Sequence, residues 1–118
     1  MTVRRIVPNL FDAAPRPTRD FYAGVFELDV EMDMGWIATL TSPSNRTAQV
    51  SVFEADAEQG RDPFVSIEVS DVDAVHARAV EAGHEVVYAL RDDDWGARRF
   101  MLRDPAGRVV NVLSHASS

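Results

Sequence analysis

Apolar and polar residues alternate along several short stretches of the chain, a spacing that is typical of strands with one buried face. In the first half, this alternation predicts a strand in "TAQVSVFEA", the apolar, β-compatible stretch Arg4–Phe11 predicts another, and "DVEMDMGWIATLTS" is interpreted as one or two more, bent near Gly35. In the second half, the alternation predicts a strand in "FVSIEVS", and "HEVVYAL", "ARRFMLR" and "RVVNVLS" are three more candidate strands. Strands therefore account for most of the predicted structure.

Two other stretches repeat apolar residues at the spacing of a helix. The first helix is predicted from about Pro17 to Phe26. The second, in "SDVDAVHARAVEAG", begins with a capping-box-like pair, Ser70 and Asp73, and ends at Gly83. Its apolar stripe, which predicts the buried side of the helix, consists of Val72, Val75 and Ala79.

A polar segment at about residues 54–63, which contains Gly60 and Pro63, separates two halves with the same order of elements. Each half has a strand, a helix and then two or three strands, so a duplicated βαβββ module is the simplest interpretation. We predict an α+β fold in one domain, residues 1–118, with module 1 at about 1–55, this linker, and module 2 at about 64–118. A length of 118 residues suits a single compact domain.

The composition excludes several classes of function. The chain has no cysteine, which excludes disulfides, thiolate zinc sites and cysteine nucleophiles and is compatible with the reducing cytoplasm, where we expect the protein. No apolar run approaches the roughly 20 residues that a membrane span needs. The net charge of −7 argues against nucleic-acid binding and mildly favours cationic partners, although charge that serves only solubility is the preferred explanation.

Three segments carry a resemblance to a known family: "PNLFD…RDFYAGVFELDV", "VSIEVSDVDAVHARAVEAGHEV" and "RRFMLRDPAGRVVNVLSH". In this order and spacing, the chain resembles the vicinal oxygen chelate superfamily, which includes glyoxalase I, extradiol dioxygenases, fosfomycin-inactivating transferases and bleomycin-resistance proteins. The resemblance implies that the two modules form an open, cup-shaped, mixed β-sheet barrel with the helices outside and a ligand inside.

The resemblance also implies where a metal would bind, because metal enzymes of the superfamily place His, Gln or Glu at inward-facing strand positions. In this chain the corresponding positions fall at Val7, Ser51, Phe64 and Asn111, the last of which carries glutamate in the metal enzymes. None of these four side chains is suited to holding a divalent ion tightly. We therefore predict the metal-free branch of the superfamily, with no metal and no other cofactor.

Glu68 is the one candidate for a catalytic group in the predicted cup. It lies on the same strand face as Phe64 and Ser66 and is expected to point inward. A carboxylate at this position is suited to act as a general base, a metal ligand or a partner for a substrate cation. The structural alternative is an ion pair with an inward-facing arginine, Arg99 or Arg103.

The three histidines are spread over different elements. His76 lies in the second helix, His84 in the turn after it and His115 at a C-terminus that we expect to be frayed. No two of them share a strand face, which argues against a relocated histidine metal site.

Two loops between the predicted strands are rich in aspartate. "DPAG" has Asp, Pro and Gly at the first, second and fourth positions of a type I turn, so we interpret it as structural. "RDDDWGARR" lacks the alternating ligand spacing of a calcium loop, so we interpret its aspartates as solvated rather than as a divalent-ion site. Trp95 in this loop, and Trp36 in the first module, are candidates for stacking on a flat ligand, for the core or for a dimer interface.

The predicted ligand site is mostly apolar with a few polar groups, as is usual for small-molecule pockets. It consists of Val7, Asn9, Phe11, Ser51, Phe53, Phe64, Ser66, Trp95, Met101 and Asn111.

Two functions follow from these observations. The first is a metal-independent binding protein, like the bleomycin-resistance branch, that sequesters a cationic or aromatic organic molecule as a homodimer. The second is an enzyme, either a metal-dependent lyase, isomerase or dioxygenase with an unusual ligand set or a metal-free isomerase that uses Glu68 as base.

Overall fold

The computed structural model describes residues 1–115, which form eight strands and two helices. In chain order the elements are β1 (Val3–Asp12), α1 (Pro15–Val25), β2 (Asp29–Asp33), β3 (Ile37–Thr41), β4 (Gln49–Glu54), β5 (Val65–Val69), α2 (Val72–Glu81), β6 (Val86–Asp92), β7 (Ala97–Arg103) and β8 (Val109–His115). The α+β class and the repeated βαβββ order are therefore confirmed. No helix in this part of the chain is long and apolar enough to cross a membrane.

The contacts divide the chain into two compact units. The N-terminal unit is Val7–Asp62, and the C-terminal unit combines Met1–Ile6 with the chain from Pro63 onward. Strand β1 therefore contributes its first residues to one unit and its last residues to the other. The predicted module boundaries stay a prediction, and the last three residues of module 2 lie outside the described residues.

In the N-terminal unit the strand order is β2-β3-β4-β1. Strands β1 and β4 are parallel, with Asn9 opposite Ser51, whereas β2, β3 and β4 are antiparallel. Leu40 and Val52 are fully buried. Helix α1 begins at Pro15, two residues before the predicted start. Proline suits the first turn of a helix, because backbone N–H groups there have no partner within the helix and the N–H that proline lacks is not needed.

In the C-terminal unit the strand order is β1-β5-β8-β7-β6. Strands β5 and β8 are parallel, and β8, β7 and β6 are antiparallel. Helix α2 packs on one face of this sheet, where its predicted stripe meets the sheet core. The buried members of that core are Val69, Val72, Ala79, Phe100 and Val112.

The start of α2 differs from the prediction. The N-cap is Asp71, whose carboxylate accepts a hydrogen bond from the Ala74 backbone N–H at 3.1 Å. Ser70 instead accepts a hydrogen bond from the Thr2 backbone N–H at 2.8 Å, and Asp73 pairs with Arg98. The sequence pattern fits two neighbouring caps equally well, and the tertiary contact of Ser70 decides between them.

The turn at Asp104 confirms the structural interpretation of "DPAG". The Gly107 backbone N–H donates to the Asp104 carbonyl at 2.9 Å, and the Asp104 carboxylate accepts from the backbone N–H groups of Ala106 and Arg108. These donors, the Arg108 N–H foremost, hold the pKa of Asp104 below its usual value. Gly107 has a φ of 89°, a left-handed conformation that favours glycine.

Candidate functional site

The first half of the predicted ligand site lies on β1 and β4 in the N-terminal unit. Asn9 and Phe11 stand opposite Ser51 and Phe53, respectively. The rings of Phe11 and Phe53 are stacked with centroids 4.7 Å apart. Val7, two residues before Asn9 on the same face of β1, is buried. The structure therefore brings these five side chains together as one surface.

The second half lies in the C-terminal unit, on the face of its sheet away from α2, which we call the distal face. Its central row runs across β5, β8 and β7 and consists of Ser66, Asn111 and Met101, each opposite the next. The neighbouring row consists of Glu68, Leu113 and Arg99. Phe64, which precedes β5, is 62% exposed. The distal face thus combines apolar side chains with neutral polar and charged ones.

The Asn111 side chain has two hydrogen-bonding groups, an amide nitrogen and an amide oxygen, and they differ in whether they have a partner. Its amide nitrogen donates to the Ser66 hydroxyl oxygen at 3.1 Å. Its amide oxygen is shielded from solvent and has no hydrogen-bond partner among the described residues, and the whole residue is 6% exposed. A buried acceptor without a partner costs about 1–3 kcal/mol of stability. Such a group has a structural cost that a hydrogen-bond donor on a ligand would offset.

Beside this row lies a buried charged cluster of Tyr88, Asp93 and Arg99. The Arg99 side chain is 9% exposed and that of Asp93 is 7% exposed, and the two form an ion pair. The Tyr88 hydroxyl donates to the other Asp93 oxygen at 2.8 Å, while the Tyr88 ring lies 4.7 Å from the Arg99 guanidinium. The interpretation of the "DDD" run as solvated is thus wrong for Asp93, although Asp92 is exposed.

Two opposing effects act on the Asp93 carboxyl. Burial raises the pKa of Asp93, but the hydrogen bond from Tyr88 and the charge of Arg99 outweigh it, so the pKa lies below its usual value. Asp93 is therefore ionised at neutral pH, and it holds both Arg99 and Tyr88 in position. Sequence analysis missed this cluster, and the available signal was an arginine at an inward-facing position of β7 close to a run of aspartates.

Trp95 lies in the turn between β6 and β7, next to this cluster. Its ring is 5.5 Å from the Arg99 guanidinium and 6.3 Å from the His115 ring. The residue is 58% exposed. Because Arg99 is held by Asp93, the indole ring has a fixed cation on one side and a large area still available for contact. Trp36, by contrast, lies in the N-terminal unit near Phe53.

Glu68 forms an ion pair, as the structural alternative held, but with different residues from those expected. Its two carboxylate oxygens lie 2.7 Å from Arg5 Nε and 3.5 Å from His115 Nε2. Arg99 and Arg103 pair with Asp93 and Glu85 instead. His115 also differs from the expectation of a frayed terminus, since it ends β8.

Two clefts of about 250 and 220 Å³ are found elsewhere in the described chain. The larger lies beside the start of α1, where Arg19 pairs with Asp33. The smaller lies beside the start of α2, where Arg98 pairs with Asp73. These charges already satisfy one another, and neither cleft is lined by a residue of the predicted ligand site.

The comparison with known families identifies the fold. A model of the Glyoxalase/Bleomycin resistance protein/Dioxygenase superfamily matches residues 5–112, which is nearly the whole chain. The chain belongs to this superfamily. The resemblance seen in the three sequence segments is thereby confirmed. A search of curated proteins found no match.

Solved structures of other proteins share the fold at low identity. A superfamily member from Vibrio splendidus 12B01 is 20% identical, covers 96% of this chain and 99% of its own, and has a TM-score of 0.74. The Mn(II)-bound glyoxalase from Novosphingobium aromaticivorans is 22% identical, and the match covers 95% of this chain and 38% of that one with a TM-score of 0.66. A hypothetical protein from Bacillus halodurans C-125 is 14% identical, with coverages of 100% and 98% and a TM-score of 0.76. These identities support a common fold and carry no information on activity.

Membership of the superfamily raises the question of a metal, and the residues at the four implied positions do not fit one. Val7 and Phe64 have no donor atom, Ser51 offers a neutral hydroxyl, and Asn111 offers one neutral oxygen. Among residues 1–115, no three His, Cys, Asp or Glu side chains are grouped so that they could hold a metal ion. His76 packs edge-on against Phe100, with ring centroids 4.9 Å apart, on the side of the sheet that carries α2.

Proposed function

We propose that this member of the superfamily binds a small organic molecule without a resident metal, and that the distal face contributes the contacts. The observation that carries the proposal is the chemistry of the four implied ligand positions. The family's fold is retained, while valine, serine, phenylalanine and asparagine stand at the positions where the resemblance implies the imidazole, amide or carboxylate ligands of the metal enzymes. Binding and sequestration need no metal, whereas the metal-dependent reactions of the superfamily do.

The residues of the distal face support a binding role. Met101 and Leu113 supply buried apolar surface, and Asn111 supplies a polar group with an acceptor to spare. Trp95 adds an exposed aromatic surface next to them. Small-molecule sites are usually built in this way, from apolar lining and a few polar groups that fix orientation.

An enzyme that uses Glu68 as base is the competing hypothesis. Both of its carboxylate oxygens face basic groups, Arg5 and His115. Proton abstraction by Glu68 would have to break an ion pair first, so the geometry favours a role in holding β1, β5 and β8 together. We expect Glu68→Gln to weaken ligand binding less than twofold, which an isothermal titration will check.

We further propose, on the likeness to the bleomycin-resistance branch, that the protein acts as a homodimer in the cytoplasm and binds neither nucleic acid nor membranes. Sedimentation velocity at micromolar concentration tests the dimer directly. A single species with the mass of one 13.1 kDa chain would contradict it.

The test of metal-independent binding is a thermal-shift screen of a metabolite library in the presence of excess EDTA. We expect hits whose stabilisation is the same with and without EDTA. The hits should lose affinity in Trp95→Ala but not in Phe26→Ala, a matched control because both aromatic residues are 58% exposed and Phe26 lies in the N-terminal unit. Stabilisation that appears only after a divalent metal is added would refute the proposal.

A further inference from the structure

The Asn111 amide oxygen, a buried acceptor without a partner among the described residues, restricts the class of ligand. We infer that the ligand is a flat molecule with an N–H or O–H group that donates a hydrogen bond to the Asn111 amide oxygen, so that Asn111 determines specificity. The inference rests on the proposed binding function and names the chemistry of that same site.

The orientation of Asn111 comes from its neighbour Ser66. Because the amide nitrogen donates to the Ser66 hydroxyl, the amide oxygen is directed away from that contact. Ser66 and Asn111 stand opposite each other on the paired strands β5 and β8, which limits how far either side chain can move. The acceptor is therefore held in place before any ligand arrives, which favours recognition of a matching donor.

An unpartnered acceptor this deeply buried is rare, because more than about 90% of buried polar groups in folded proteins have a hydrogen-bond partner. The oxygen is shielded from solvent, and no described residue donates a hydrogen bond to it. A ligand with a donor would satisfy it, whereas the same ligand without the donor would leave it unsatisfied. We expect this difference to change the dissociation constant by about 5- to 150-fold.

We expect the residue at the paired position of β7 to control access to the oxygen. Met101 stands opposite Asn111 and is fully buried. Methionine is unbranched and has three rotatable side-chain bonds, so it rearranges at low cost when a ligand enters. Met101 is thus the side chain that we expect to move on binding.

The flat shape follows from Trp95. The Trp95 ring lies 5.5 Å from the Arg99 guanidinium, and Arg99 stands in the row of the distal face next to that of Asn111 and Met101. The indole ring is exposed, so a flat ring system can stack on it. A flat ligand that stacks on Trp95 and extends across the Arg99 row can therefore present a donor to Asn111.

The experiment uses pairs of flat probes that differ in a single N–H: 2-quinolone with 1-methyl-2-quinolone, and indole with 1-methylindole. The full chain is titrated with each probe, and the NMR signals of the Trp95 indole and the Asn111 side-chain amide report binding. We expect the N–H member of each pair to bind about 5- to 150-fold more tightly.

Two variants locate the effect. In Asn111→Leu the preference for the N–H member should fall to about onefold, and in Asn111→Asp, which keeps an acceptor, it should remain. The matched control is Thr41→Val, because Thr41 also has a shielded side-chain oxygen without a partner among the described residues but lies in the N-terminal unit. That control should keep the wild-type preference.

The possible failures are distinguishable. Equal affinity for both members of each pair in the wild-type chain, with signal changes at Trp95, would overturn the donor requirement and leave the binding proposal intact. A preference that persists in Asn111→Leu would assign the donor contact to another residue and also overturn the inference. No signal change on the distal face at millimolar concentrations of every probe would overturn both proposals.

Discussion

Replacing Asp93 by asparagine removes one negative charge from the buried cluster with almost no change in shape. The Asp93 and Arg99 side chains are 7% and 9% exposed, respectively, so solvent does little to screen their ion pair. Tyr88 also donates to Asp93. In Asp93→Asn one of the two donors faces an amide NH2 group instead of an oxygen, and the buried Arg99 guanidinium loses its ion pair with residue 93. The effect on stability should therefore be large for a change of one atom.

The magnitude can be worked out from the contacts. Hydrogen bonds to a charged group contribute about 1.5–3 kcal/mol, compared with about 0.5–1.5 kcal/mol between neutral groups. Losing the charge at two such bonds, from Arg99 and Tyr88, costs about 2–3 kcal/mol. The contact with Arg91 adds little, because that side chain is 62% exposed. A loss of about 3 kcal/mol corresponds to a decrease in Tm of roughly 10 °C for a domain of this size.

The assay is thermal and urea unfolding at pH 7, with Asp92→Asn as the matched control. Asp92 is the preceding residue and also pairs with an arginine, Arg98, but its side chain is 78% exposed. We expect Asp92→Asn to leave Tm nearly unchanged, since exposed ion pairs contribute little. Equal changes in Tm for the two variants would refute the claim that the Asp93 cluster is a buried and stabilising one.

The pH dependence provides a second check with a defined sign. The pKa of Asp93 is lowered in the folded state, so its contribution is fully present above the unfolded value of about 3.9 and is lost as the pH falls through the folded value. The difference in stability between the wild-type chain and Asp93→Asn should thus be constant from about pH 5 to 8 and should shrink below about pH 4. A difference that grows on acidification would contradict the assignment.

Three further predictions concern stability and can be measured by urea unfolding. Asp71→Ala should lower the free energy of unfolding by about 1 kcal/mol, because the Ala74 N–H loses its hydrogen-bond acceptor. A larger decrease in Ser70→Ala would show that Ser70 is the cap instead. Gly107→Ala should cost about 1 kcal/mol through the φ of 89° alone, since a Cβ at this position meets nothing within 4 Å. Phe100→Ala should cost about 3–5 kcal/mol, because Phe100 is fully buried against α2, and a loss below about 1 kcal/mol would show that the core closes around the gap.

The fold was largely predictable because its signals are local. Alternation along β5 predicts which residues face α2, and the spacing of Val72 and Ala79 predicts the buried side of that helix. The ends of elements were less predictable. The sequence predicts Ser70 as the cap of α2, whereas the structure has Asp71. Both residues have a suitable side chain, and Ser70 is excluded only because its hydroxyl accepts a hydrogen bond from the distant Thr2 N–H.

The candidate site was less predictable, because its contacts depend on strand order and register. Glu68 pairs with Arg5 since the start of β1 lies beside β5 in the C-terminal unit, an arrangement that alternation does not encode. The Asp93 cluster depends on shifts of register between β6 and β7 near Tyr88. These shifts bring Asp93 and Arg99 together, whereas the sequence alone shows only a run of aspartates.

The central claim, a superfamily fold that binds its ligand without a resident metal, is tested most directly by metal content. Tag-free protein is analysed by mass spectrometry before and after incubation with nickel, zinc, manganese and iron(II), followed by desalting. The account predicts well below one equivalent of each metal per chain, because Val7, Ser51, Phe64 and Asn111 offer no imidazole or carboxylate. One tightly held equivalent of any of these metals would contradict it and would move the enzyme hypothesis to first place.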